Sequence, residues 1–444
     1  MKKMKKTTCI LLTFILILSL CSCGEKTALD PKDPVTLTLW HVYGEQADSP
    51  MNRLINEFNE TVGKEKGIVI NVTMMTNAME VSGLLTSALN NDPGAPEMPD
   101  LFFAHTENVA KLGKEHIIDW NDYFTNEEQN QFIIDFVLDG VIDDTLAVLP
   151  ISKSTHLLFV NGSEFERFSK DTGAAYDDLS SWEGLFDTAK KYYQWSEGTT
   201  FCVFDYLLRA IELNAIAKGD ANFYGEDGWY DFTNKTLKES YLEFLTPLVQ
   251  GYIGVSDMYS NTQIMTGETP SGIGSSAAIL YYNDTVTYPD NTTEPVNLQL
   301  LPYPQQNSEE GLMTQAGVGL CGYKTTPQKG EAASVFAHWL TESQRNLDFV
   351  TETGYMPVCK ESYQALEDYE FPNKERATLY STLDSMKDDC TALSEPNAVG
   401  YYDKALSLYN TLREKQGEWK KRSEQGEALE TLLQEAWDVF QNIQ

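Results

Sequence analysis

Two hydrophobic periods alternate over residues 35–115, and this alternation constrains the fold more than any other feature. Residues 35–39 read Val-Thr-Leu-Thr-Leu. Apolar side chains at every second position, with β-branched residues between them, predict a half-buried strand. The strand runs into a loop that carries Trp40, His41 and Tyr43. After Ser49 and Pro50, the residues Leu54, Ile55 and Phe58 fall on one face of a helix, with Ser49 as its N-cap and Pro50 as its first residue. Residues 67–73 predict a second strand and 81–89 a second helix. Residues 100–104, Asp-Leu-Phe-Phe-Ala, predict a short apolar strand of the kind covered on both faces. That strand ends at His105, Thr106, Glu107 and Asn108, and a third helix is expected from 109. Strand and helix repeated three times predict an α/β fold with right-handed crossovers. Ligands of such sheets bind beyond the carboxyl ends of the strands. The loop at Trp40, His41 and Tyr43 is therefore a candidate site, with His105 a candidate at its rim. Flat rings there suit the apolar faces of sugars.

The 444 residues suffice for two or three domains, or one two-lobed body. With 33 basic against 66 acidic residues the net charge is −33. A nucleic-acid partner needs a basic surface, so that class is set aside. The first residues are expected to be a targeting segment. Four lysines within residues 2–6 precede a short apolar run over 9–20. That run is too short for a membrane span and suits a signal peptide. Residues 20–24, Leu-Cys-Ser-Cys-Gly, resemble a bacterial lipobox. The expectation is a lipoprotein signal over 1–22, a lipidated Cys23 carrying palmitate-type acylation, and a flexible tether over 23–34. Beyond these, Cys202, Cys321, Cys359 and Cys390 match no zinc spacing. They are expected as buried thiols, with one disulfide left open.

Further along, two apolar stretches flank residues 150–155. Helices are predicted over 182–193 with Ser181 as N-cap, 206–218 and 236–250. Between the last two lies a loop holding Trp229 and Tyr230. Strands are predicted at 296–301 and 317–323, and helices at 331–340 and 343–351. The tail from 378 reads as helical with one interruption at 394–402, whose Tyr401 and Tyr402 read as packing residues. There is no internal repeat, and no G-x-S-x-G, H-E-x-x-H or P-loop motif.

Four segments together resemble the extracellular solute-binding proteins of ABC importers, in the carbohydrate-binding branch that includes glycerol-3-phosphate and maltose binders. They are Leu39-Trp40-His41 with the helix ending at Asn59, Leu149-Pro150-Ile151 through Ser154 to Asn161, residues 336–344, and Thr353-Gly-Tyr-Met-Pro-Val358. The resemblance covers roughly residues 35–360. It implies a type II periplasmic-binding-protein-like fold: two α/β lobes joined by a hinge, with the ligand cleft between them. The expected division is 35–153 and 306–358 for lobe one, and 154–305 and 359–444 for lobe two. The resemblance further implies ligand contacts at Trp40, His41, Glu107 or Thr106, Ser154, Trp182, Ser275 or Ser276, Gly317 and Tyr355. Separately, the aromatic loop with Trp229 and Tyr230 is a candidate for the cleft rim or a surface plug. It implies no cofactor, no metal and no catalysis. The expected partners are a small solute, the transmembrane subunits of an ABC permease and, through the lipid anchor, the cell membrane; the chain is expected to act as a monomer. Two departures bear on the solute. Where phosphate-ester binders place a tyrosine, Ala78 and Met79 stand, and the loop 397–402 lacks the arginine they set on the phosphate. A buried phosphate needs paired donors, which arginine supplies best. The expectation is therefore a mono- or oligosaccharide, with a glycerophosphate as the alternative. A secreted glycosidase is the competing class.

Overall fold

The computed structural model describes residues 28–43, 49–75, 78–256, 259–306 and 311–443, apart from the side chains of Met79 and Asp388. Cys23 and the signal segment lie outside the described residues. Eleven strands carry the architecture: β1 (Val35–His41), β2 (Ile68–Met74), β3 (Leu101–Ala104), β4 (His156–Val160), β5 (Cys202–Phe204), β6 (Ile253–Val255), β7 (Ser271–Ser275), β8 (Gln299–Leu301), β9 (Gly311–Gln315), β10 (Gly319–Gly322) and β11 (Cys390–Ser394).

The first sheet has the order β10-β3-β1-β2. Strands β1, β2 and β3 are parallel, with Val35 opposite Ile68 and Leu39 opposite Leu101. Their link is the helix Pro50–Glu60, capped as the sequence predicts: Ser49 accepts from the Asn52 amide at 3.2 Å. The second sheet has the order β8-β4-β7-β5-β6. Strands β7, β5 and β6 are parallel, and β4 runs antiparallel to β7 and β8. Each sheet is covered by helices. Phe58 and Phe336 meet edge-on over the first, and Trp182, Phe204 and Phe244 cluster over the second.

Three extended segments run between the sheets side by side. Ser154 and Ala316 exchange both backbone hydrogen bonds at 2.9 Å. Met356 donates to the Lys153 carbonyl at 2.6 Å. Gly317 has φ +118 and lies against the Ser152 carbonyl, where a Cβ would come within 3.1 Å. Only glycine takes that backbone readily and permits such an approach.

Two expectations need correction. Residues 28–34 are not free tether. Ala28 donates to Glu331 Oε2 at 2.8 Å and accepts from Gln328 Nε2 at 3.1 Å, while Leu29 is buried in the core. The tail also contains a strand that no alternation announces. β11 pairs parallel with β9, Gly311 opposite Cys390 and Gln315 opposite Ser394. Its five residues are half-buried or exposed, so no apolar face marks it. This pairing puts residues 311–315 beside the tail rather than in the first sheet. Cys202, Cys321, Cys359 and Cys390 are all free thiols, the first three buried.

Candidate functional site

The carboxyl ends of the parallel strands of both sheets face the gap between them. From the first sheet come His41 and Tyr43 after β1, and His105 after β3. From the second come Asp205 and Tyr206 after β5, Tyr259 beyond β6, and Ser275 and Ser276 at the end of β7. The antiparallel strands β10 and β4 begin there, next to Gly317 and Ser154. The three crossing segments form the floor.

Lobe one's side of the gap is already hydrogen-bonded. His41 is fully buried: Nδ1 accepts from the Tyr43 amide at 3.2 Å, and Nε2 meets Asn52 Oδ1 at 2.9 Å. Burial lowers its pKa, so the ring is neutral and both nitrogens are used inside the lobe. Tyr43 is buried edge-on against Phe103, Phe349 and Tyr355, with its hydroxyl 3.0 Å from Ser152 Oγ. Tyr355 is half-buried above it. Burial raises the Tyr355 phenol, and the phenols of Tyr281 and Tyr259 raise it further. The Tyr355 hydroxyl is therefore a protonated donor at neutral pH.

His105 retains partial exposure. Burial holds its pKa near 4, Lys153 adds to the fall, and Asp139 and Glu107 oppose it. Its ring lies 5.3 Å from that of Tyr402, on the far side of the gap. Tyr402 donates to Glu395, whose carboxyl is pushed up by burial. Glu107 is 1% exposed. Its Oε1 accepts from Lys111 Nζ and from the Gly400 amide, both at 2.9 Å, while the buried Oε2 has no hydrogen-bond partner.

Lobe two's side is a set of rings. His156 stacks on Tyr206 with centroids 4.7 Å apart and planes within 5°. Burial, with Arg209 adding to it, holds His156 near pKa 3, so the stacked pair is neutral. Tyr206 is half-buried, Tyr259 is 46% exposed and Tyr281 55% exposed. Large rings standing in solvent beside buried ones are what a ligand-binding wall offers. Asp205 accepts from the Ser260 amide at 2.7 Å and from its hydroxyl at 3.0 Å, which pins the helix Ser260–Met265 that follows Tyr259. Two cations beside the gap are paired with carboxylates. Lys153 meets Asp139 and Arg209 meets Glu212 at 3.0 Å.

The structure thus brings together His105, Glu107, Ser154, Ser275, Ser276, Gly317 and Tyr355, with Tyr43 just beneath. It does not present the three tryptophans. Trp40 is enclosed with Val81, Phe102 and Cys321. Trp182 is enclosed by Phe186, Phe204, Phe244 and Tyr303, and Trp229 by Tyr230, Tyr401 and Phe440. Each is 5% exposed or less, because an indole buried in a lobe's own core contributes most there. Reading the sequence missed Asp139, Lys153, Tyr206, Tyr259, Tyr281, Glu395 and Tyr402. The carboxyl-end rule, applied to the apolar runs 202–204 and 253–255 as it was to 35–41, would have found Tyr206 and Tyr259. Among the described residues, no group of three or more His, Cys, Asp or Glu could hold a metal ion. Nor is any of their helices long and apolar enough to cross a membrane.

Solved structures share this architecture. The maltose-bound MalE3 of T. maritima matches with a TM-score of 0.67 at 16% identity, covering 91% of this chain and 99% of its own. An ABC substrate-binding protein of Listeria monocytogenes, in complex with cycloalternan, gives 0.67 at 14% identity over 92% and 98%. UgpB of Mycobacterium tuberculosis, in complex with glycerophosphocholine, gives 0.65 at 14% identity over 92% and 98%. These likenesses establish the fold as the two-lobed type II periplasmic-binding-protein fold. No curated protein matches the chain by sequence. The profile of the family described as bacterial extracellular solute-binding protein matches residues 53–378, nearly three quarters of the chain. The protein therefore belongs to that family, whose members bind a small solute outside the cytoplasm.

Proposed function

We propose that the protein captures an uncharged, hydroxyl-rich solute, a mono- or oligosaccharide, between its lobes and delivers it unchanged to the permease of an ABC importer. One observation carries the reading. Tyr206, Tyr259, Tyr281, Tyr355 and Tyr402 stand around the cleft, while Lys111, Lys153 and Arg209 already face carboxylates. Ring faces and phenol donors suit sugar hydroxyls and C–H faces. An anionic ligand at Lys111, Lys153 or Arg209 would need that cation taken from its partner, at a cost of several kcal/mol. The maltose and cycloalternan complexes of the structural neighbours support this class. The lobes we propose exchange chain at 152–154, 315–317 and 355–357 and close about those crossings. Anchorage through a lipidated Cys23, a monomeric state and the absence of catalysis belong to the same proposal. Two carboxylates free to act would support a hydrolase instead. Here Glu107, Asp139 and Glu395 are each engaged by a neighbouring donor.

A glycerophosphate is the second reading, and Arg376 favours it. This half-buried guanidinium lies beside the Tyr355 loop, 3.2 Å from where a Cβ on Gly354 would stand, and its buried Nη1 has no partner. It lines a separate pocket of about 310 Å3 together with Asp284 and Glu375, whose charges oppose an anion.

Thermal-shift measurement against maltodextrins, mannose and chitin oligomers, glycerophosphodiesters and amino acids tests the reading. A sugar at a hundred times its Kd should add about 2.7 kcal/mol of stability. A rise in melting temperature with glycerophosphodiesters alone, lost in Arg376→Met, would replace the sugar by the phosphate ester. Hydrolysis of a bound oligosaccharide by the pure protein would make it an enzyme.

A further inference from the structure

A lobe-one carboxylate is docked on a lobe-two helix by a direct hydrogen bond. Glu107 follows β3, whose pairing with β1 and β10 fixes it to lobe one. Its Oε1 accepts from the amide of Gly400, the residue before the helix Tyr401–Glu424. That helix is anchored in lobe two. The Tyr401 hydroxyl donates to Glu212 at 2.7 Å, and Gln416 bonds both the amide and the carbonyl of Val255 in β6. Lys111 completes the bridge, 2.9 Å from Glu107 and 3.3 Å from Asp403 on the first turn of the same helix. Burial alone would lower the lysine's pKa, but Glu107 and Asp403 raise it, so Lys111 stays charged.

A helix start presents unpaired amides and the positive end of the helix dipole, and a carboxylate there is stabilising. In most helices an acceptor on the N-cap or in the first turn serves these amides. This helix has Asp403 in its first turn, but its N-cap is Gly400 at φ +89, which has no side chain to offer. The oxygen that takes the Gly400 amide comes from the other lobe.

We propose that Glu107 is a positioning residue acting across the cleft: with Lys111 it caps the helix Tyr401–Glu424 in trans, latches the lobes in the closed arrangement and holds Tyr402 against His105. The latch makes the closed form accessible to the ligand-free protein. Apparent affinity is the intrinsic affinity multiplied by the closed fraction, so the latch sets how much of the ligand's binding free energy goes into closure. Only this consequence rests on the solute-binding reading; the test needs no ligand.

Small-angle X-ray scattering of the ligand-free protein reads lobe separation. The unaltered chain should show a substantial closed population with the compactness seen here. Glu107→Ala should be more extended, its closed-to-open ratio lower by about tenfold, which corresponds to about 1.4 kcal/mol. Glu107→Gln, which keeps an oxygen for Gly400 but no charge for Lys111, should fall between the two. A residue that only touched ligand would leave ligand-free scattering unchanged, so this readout separates the latch from a ligand contact. If circular dichroism shows Glu107→Ala unfolded, Lys111→Met decides, with an increase in the radius of gyration expected. Equal radii for the unaltered chain and the folded variants would overturn the latch, whether all are compact or all extended.

Discussion

The two faces of the cleft are built on different terms. Lobe one's face is hydrogen-bonded within the protein, apart from the buried Glu107 Oε2. His41 has both nitrogens bonded, the Tyr43 hydroxyl sits against Ser152, and Glu107 is held by Lys111. Lobe two's face holds its hydrogen bonds beneath the surface, where Asp205 pins Ser260 and Arg209 meets Glu212, and leaves rings standing above them. Tyr206 lies on His156, and Tyr259 and Tyr281 stand largely in solvent. A satisfied, buried face can act as a rigid stop for closure. An aromatic, half-exposed face gains most when a ligand covers it. On the proposed reading, the difference assigns affinity to ring stacking on lobe two, and register and the latch to lobe one.

Four measurements break or sharpen that contrast. The largest effect is expected below lobe two's face, at Trp182. Enclosed by four aromatic rings, it should cost about 3–5 kcal/mol of stability in Trp182→Ala. A lower melting temperature with the ligand-induced increment retained is the expected outcome. Lost affinity at an unchanged melting temperature would extend the recognition wall down to this indole.

Next is Tyr206→Ala, expected to weaken sugar binding by about 2 kcal/mol or more with little change in stability. Titration calorimetry with whichever sugar raises the melting temperature reads it. Unchanged affinity would remove lobe two's stacked pair from the site.

The third uses one histidine from each lobe. His105 is held near pKa 4 and His156 near 3, both below the ordinary 6.5. As pH falls below 6.5 the unfolded chain binds two protons that the folded chain refuses, so stability falls. Asp205 works the other way. Its carboxyl is raised to about 6, so between pH 6 and 3.8 the folded chain keeps a proton that the unfolded chain has lost. His41, lowered by burial, adds to the first effect, and Glu395, raised by burial, adds to the second. The two histidines with Asp205 set against them differ by about one proton, or roughly 1.4 kcal/mol lost per pH unit. Scanning calorimetry from pH 7 to 4.5 should show a falling melting temperature. A flat profile, or one that His156→Gln leaves unaltered, would mean that the stacked histidine is not buried in solution.

The smallest effect is expected on lobe one. Tyr43→Phe removes only the hydroxyl's contacts with Ser152 Oγ and the Val318 carbonyl and should cost about 1 kcal/mol of stability. Affinity should stay the same. A large loss of binding would show that lobe one's face takes part in recognition after all, and the contrast between the faces would fail.

Much of lobe one was legible in the chain. The alternation in 35–39 became β1 with Val35, Leu37 and Leu39 buried and the threonines exposed, and Ser49 caps its helix. Periodicity reads one element at a time, and it served where an element buries one clear face. It failed at β11, whose residues are only half-buried, and at residues 28–34, which polar composition marked as tether although Leu29 and the Ala28 backbone dock on the lobe. The tryptophans misled for a related reason. An indole is as suited to a core as to a sugar, and only its neighbours decide; Trp40, Trp182 and Trp229 all found cores. Tyr402 erred in the other direction. Beside the buried Tyr401 it read as packing, yet one residue's rotation on the helix turns it toward His105.

By itself the sequence determined the α/β beginning, the acidity that turns away nucleic acid, and the order of segments that marks the family. All of these are properties of neighbours along the chain, carried by side-chain period, backbone preference and charge. Only the tertiary structure decided which tyrosines face the cleft, which cations are already paired and which carboxylate caps a helix of the opposite lobe. Those contacts join residues up to some three hundred positions apart, as Glu107 joins Gly400. Local pattern holds no record of such pairs, because what selects them is the shared desolvation of groups brought together when both sheets and their three crossings pack.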